Sequence, residues 1–128
     1  MNFLLDTHLL LWTTNAPERR SAQAEALIED RTNQLWFSVA SIWELAIKHN
    51  RQHRALDIDP GELRRALLQH GYLELPITGA HALATGDLPR LHKDPFDRIL
   101  IAQATVERLT LLTTDARLAR YPGPVRVV

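Results

Sequence analysis

The chain has no cysteine, which excludes disulfide frameworks and thiolate metal sites and fits a reducing compartment. Lysine is nearly absent as well: Lys48 and Lys93 are the only two among 15 basic residues, and the rest are arginine. Net charge is zero, so no global positive field advertises nucleic acid. Only 5 glycines occur, and none falls into GxGxxG or a P-loop pattern, which removes the simple nucleotide-loop readings. No GxSxG elbow is present for a serine hydrolase. No apolar run reaches the length of a membrane span. The opening run Phe3-Leu4-Leu5 has the look of a signal peptide, but Asp6 and His8 interrupt it and no basic segment precedes it. A cytoplasmic protein is expected.

What remains is an ordinary globular composition, 45% hydrophobic and 23% charged, over 128 residues. That length predicts one domain, 1–128, with a real core. Short apolar runs at Asn2–Leu5, Gln34–Ser38, Tyr72–Ile77, Thr110–Thr113 and Val125–Val128 read as strands. Between them lie helical patterns: Thr7 to about Trp12, Glu18–Arg31, Val39–Gln52, a helix opened by Asp59-Pro60 and closed by Gly71, Thr78–Thr85, and Pro95 to about Arg108. A short helix is expected over Asp115–Arg120. On Val39–Gln52 the apolar face is read as Val39, Ile42, Trp43, Ala46 and Ile47. Strands alternating with helices predict an α/β fold with a mostly parallel sheet covered on both faces. In such sheets ligands bind beyond the carboxyl ends of the strands.

The acids gather there. Asp6 follows the first strand and Asp115 the fourth. Asp97 lies in the first turn of the helix feeding the fourth strand, and Glu44 sits nearly two turns into the helix leaving the second. Each has a bland explanation. Asp6, Asp94 and Asp115 suit N-caps, and Glu44 can pair with Lys48 at i,i+4. Three aspartates at one sheet edge strain that explanation. Carboxylates crowded together repel unless neutralised, and the usual solution is a hard cation with oxygen ligands, Mg²⁺ or Mn²⁺. Such ions serve phosphoryl chemistry by activating water and steadying charge on the phosphate. His49 and His53 have the i,i+4 spacing of a zinc pair but lack the HExxH glutamate and a third ligand.

Taken together, LLDTH (4–8), SVASIWELAIK (38–48), LPRLHKDPFDRILIAQA (88–104) and LLTTD (111–115) resemble the PIN-domain family, and more narrowly its VapC-type toxin ribonucleases. The matches run in order across nearly the whole chain. The resemblance implies a three-layer PIN-like fold and a metal-dependent endoribonuclease that leaves 5′-phosphate and 3′-hydroxyl ends. It maps the acidic cluster onto Asp6, Glu44, Asp97 and Asp115, with Thr7, Ser38 and Thr114 beside it. Asp94 is assigned to capping, with metal binding beside or instead of Asp97 as its other reading. The resemblance further implies a homodimer held inactive by a small VapB-like antitoxin. Trp12 and Trp43 are expected to pack in the core, the antitoxin groove being their other reading. Arg51, Arg54 and Arg98 are the candidates to hold RNA phosphates.

Three rivals stand against this reading. A metal-independent ribonuclease would use paired histidines as acid and base, and six are available. A phosphoacceptor module is also small, parallel-stranded and acidic at strand ends, but wants a lysine near the last strands, where neither Lys48 nor Lys93 lies. A silent interaction module would keep the acids as caps alone.

Overall fold

The computed structural model describes residues 1–51, 58–91 and 93–128, with the side chains of 50 and 51 excepted. Five strands alternate with helices: β1 (Asn2–Leu5), α1 (Thr7–Asn15), α2 (Ala22–Glu29), β2 (Gln34–Ser38), α3 (Val39–Arg51), α4 (Pro60–Gln69), β3 (Leu73–Leu75), α5 (Gly79–Ala84), α6 (Pro95–Glu107), β4 (Thr110–Thr113) and β5 (Val125–Val127). Short 3-10 turns fill Pro17–Arg19, Thr85–Asp87 and Ala116–Arg120. The strands form one all-parallel sheet in the order β3-β2-β1-β4-β5.

β1 is central because both its faces are apolar. Phe3 and Leu5 enter one core with Leu9, Phe37, Leu63 and Leu112, while Leu4 enters the other with Leu100, Ile101, Leu111 and Leu118. The period-2 alternation of a strand thus splits one continuous apolar run between two layers of helices. Each fully buried Leu or Phe contributes about 1.5–3 kcal/mol relative to exposure. α1, α2 and α4 supply the first layer, and α6 the second.

Local chemistry sets the ends of the helices. Ser21, Asp59 and Asp94 accept backbone N–H groups as N-caps of α2, α4 and α6, and Pro60 and Pro95 open the latter two. The Ser21 cap and the 3-10 turn at Pro17 make α2 shorter than the expected Glu18–Arg31. Pro76 ends β3 sooner than Tyr72–Ile77 anticipates, because proline cannot donate to the ladder. α4 closes on Gly71 with φ 85°, whereas α6 closes on Arg108 at φ 58°, a left-handed position taken by a residue with a Cβ.

The buried face of α3 departs from expectation. Ala40, Ser41, Glu44 and Leu45 are buried, Ala46 is exposed, and Trp43 is 57% exposed with an edge-on contact to Phe96. The helix turns polar groups inward because its first turns face the strand ends where the acids lie. Trp12, in contrast, packs against the first core.

Candidate active site

The carboxyl end of the sheet is built around Asp6. Its backbone N–H continues the β1–β4 ladder to Leu112 O at 2.9 Å, which fixes the residue where the two strands end. Oδ1 accepts from Leu9 N at 2.9 Å as the N-cap of α1. Oδ2 accepts from Thr113 Oγ1 at 2.5 Å and from Thr114 N at 3.3 Å. Only 5% of the residue is exposed. Burial pushes its pKa up; the bonds from Thr113, Leu9 and Thr114 and the charge of His8 pull the other way without prevailing. Three donors therefore hold a carboxylate whose burial still outweighs its hydrogen bonds and the charge of His8, a common condition of functional sites.

The Thr113 hydroxyl is shared. While donating to Asp6 it accepts the backbone N–H of Asp115 at 3.0 Å, so one buried oxygen sets the positions of two acids. Asp115 caps the 116–120 turn through Arg117 N at 2.9 Å. Its carboxylate is also gripped by the Arg117 guanidinium, Nε to Oδ1 at 3.0 Å and Nη2 to Oδ2 at 2.7 Å. The Asp115 bonds and charge hold the Arg117 pKa above its ordinary value, and the charges of Asp97 and Asp94 add to them. Three carboxylates thus act on one guanidinium.

On the other side of Asp6, Thr7 Oγ1 donates to Glu44 Oε1 at 2.8 Å and stands 3.0 Å from Ser41 Oγ. Lys48 Nζ lies 2.8 Å from Glu44 Oε2, as the i,i+4 spacing suggests. Asp94 Oδ1 accepts from Phe96 N at 2.9 Å and Asp97 N at 3.4 Å, placing Asp97 in the first turn of α6.

These oxygens match the chemistry of a hard divalent cation. No three histidine or acidic groups among the described residues stand close enough to enclose one. Lys48 and Arg117 instead supply positive charge to Glu44 and Asp115.

The neighbours expected from the sequence are only partly the ones found. Thr7 touches Glu44, but Thr114 reaches Asp6 through its backbone, and the side chain on Asp6 is that of Thr113. Strand period supplied the signal: Thr113 ends β4 on the buried face of Leu111, while Thr114 has left the strand. Ser38 is buried against Gln103, donating to Oε1 at 2.5 Å, and accepts from Ala40 N; its bonds join β2 to α6. Ser41 was not anticipated. Arg98 has a different task from the expected phosphate contact: its guanidinium donates to the carbonyls of Pro89 (2.8 Å), Thr85 (2.9 Å) and Leu88 (3.3 Å), pinning the 85–89 loop to α6. The Arg51 side chain, all of Arg54 and His53 lie outside the described residues.

Against this geometry stands a family match: the PIN domain model covers residues 3–124. The chain belongs to the PIN-domain family. This PIN-domain chain is 32% identical over 127 residues to a protein named Ribonuclease VapC22 from Mycobacterium tuberculosis, spanning 97% of this chain and 96% of that one. Its fold is shared with the Rickettsia felis VapBC2 structure bound to a promoter DNA fragment, at a TM-score of 0.72 and 16% identity over 99% of this chain and 98% of that one. A Klebsiella pneumoniae toxin–antitoxin complex gives a TM-score of 0.65 at 21% identity, over 97% of this chain and 95% of that one.

Proposed function

We propose that this PIN-domain chain is a divalent-metal-dependent endoribonuclease and the toxin of a toxin–antitoxin pair. The observation that carries the reading is Asp6, a buried carboxylate at the central strand end, supplied with three hydrogen-bond donors and with its pKa still raised by burial. The relative named as a ribonuclease and the toxin–antitoxin neighbours support the class.

Asp6, Glu44, Asp97 and Asp115 would hold Mg²⁺ or Mn²⁺. When bound, the ion supplies Lewis-acid charge for the scissile phosphate and an activated water. The chain's own residues do the rest. Thr113 holds Asp6 and Asp115 in register, and Thr7 orients Glu44. The substrate is RNA, cut in line to 5′-phosphate and 3′-hydroxyl ends. A small VapB-like antitoxin, a homodimer and a cytoplasmic setting complete the proposal. No helix among the described residues is long and apolar enough to cross a membrane.

The competing reading, an interaction module with structural acids, draws on the caps that Asp6, Asp94 and Asp115 do make. RNA cleavage by wild type and Asp6→Asn, each with Mg²⁺ and with EDTA, separates them. Metal-dependent cutting by the wild type and none by a folded variant is expected. Equal cutting by both, or cutting that survives EDTA, refutes the reading, and cyclic 2′,3′-phosphate products refute the in-line hydrolysis.

A further inference from the structure

Arg117 reaches Asp115 with more N–H groups than a capping turn requires. The backbone N–H of Arg117 already satisfies the cap at 2.9 Å. The guanidinium then adds Nε and Nη2 as a fork across both carboxylate oxygens, so three N–H groups of one residue converge on one carboxylate. These are the oxygens a cation at Asp115 would need. The arginine side chain is nonetheless 69% exposed, against 28% for its partner. A fork exposed to water is held weakly.

Other cations at this end are placed differently. Arg98 is fastened to three main-chain carbonyls and has no carboxylate partner among these bonds. Lys48 takes only Oε2 of Glu44, whose Oε1 belongs to Thr7. Arg117 combines a carboxylate partner in the proposed site, high exposure and a planar fork that fits phosphate as well as carboxylate.

Taking the metal-dependent reading above as its basis, we propose that Arg117 is a displaceable occupant of the acidic site: a divalent cation takes its place on Asp115, and the released guanidinium turns to a phosphate of the bound RNA. The cap through Arg117 N survives the exchange, so the side chain stays tethered beside the site in both positions. The guanidinium thereby shields the clustered acids from their own repulsion, and metal arrival and phosphate capture are coupled through one residue.

The test uses the full chain as wild type, Arg117→Ala and Arg117→Lys, with thermal melts to verify folding. Mn²⁺ affinity is measured by calorimetry, and binding of a short single-stranded RNA by anisotropy in Ca²⁺ over a salt series. Arg117→Ala is expected to bind Mn²⁺ about two- to five-fold more tightly, the gain of removing a weak surface competitor. It should bind RNA more weakly, with the slope of log K against log salt shallower by about 0.7, one phosphate contact. Arg117→Lys keeps the charge but not the fork, so Mn²⁺ binding should still tighten while most of the salt slope remains. Unchanged or weaker Mn²⁺ binding in Arg117→Ala, or an unchanged RNA slope, overturns the proposal and leaves the nuclease reading intact. A wild type that binds neither Mn²⁺ nor RNA overturns both.

Discussion

Replacing Thr113 by valine removes one hydroxyl and preserves the shape of the side chain. That hydroxyl is fully buried, donates to the Asp6 carboxylate at 2.5 Å and accepts from Asp115 N at 3.0 Å. A hydrogen bond to an ionised group contributes about 1.5–3 kcal/mol and a neutral one about 1. The extra buried methyl offsets about 0.8 kcal/mol. A net loss of about 2 kcal/mol follows at neutral pH. In a domain of this size that lowers Tm by about 6–9 °C. Thr113→Ser keeps the hydroxyl and gives up one buried methyl, about 0.8 kcal/mol and about 3 °C. Stability alone would not separate a supporting hydroxyl from a well-packed strand residue, but metal affinity does. Loss of a group that orients a ligand weakens metal binding about 10–100-fold. Melts in EDTA and Mn²⁺ calorimetry should therefore rank the variants oppositely to side-chain volume: serine near wild type for Mn²⁺, valine far below. If valine and serine bind Mn²⁺ equally well, Thr113 does not position the acids.

Three further outcomes follow from the same contacts. Burial raises the Asp6 pKa above its unfolded 3.8, so its contribution to stability is full below that value and is lost as pH rises through the folded one. In EDTA at pH 8, Asp6→Asn should melt no lower than wild type, and wild type should gain on it as pH falls; a variant melting well below wild type at pH 8 would make the charged cap a net stabiliser. Arg98→Ala should cost about 2–3 kcal/mol by releasing the 85–89 loop, read in a denaturant melt, yet leave the salt slope of RNA binding unchanged. Arg108→Gly should raise Tm by about 2–4 °C, since glycine takes the left-handed φ of 58° without a Cβ clash.

The alternation of strands and helices was readable because each element's punctuation is local: Asp94-Pro95 opens α6, Gly71 closes α4, and the apolar run of β1 is short enough to be a strand. Strand order was not, because it depends on which crossovers pack, and the run at 3–5 fits any central position. Asp6 and Asp115 stood out as charges at strand ends, whereas Glu44 and Asp97 lie on helices and joined them through the motif resemblance. Their supporting groups did not, since a hydroxyl declares its partner only in three dimensions. Thr113 and Thr114 look alike in LLTTD until the pleat assigns one to the interior. Arg98 offered no local sign that the carbonyls it binds lie 9, 10 and 13 residues back. Trp43 misled for a related reason: helical periodicity marks it as core, but the face that α3 turns inward is the one carrying Glu44.

Asp6 is held by a hydroxyl 107 positions away, across the pairing of β1 with β4. On the ribosome the two halves of this site are therefore made 107 residues apart. A nascent chain that has already emerged through Glu44 carries two of the acids, but neither the oxygen that steadies Asp6 nor the strand that orders Asp115. The carboxyl end of the sheet is ordered only after β4 has been made and paired with β1.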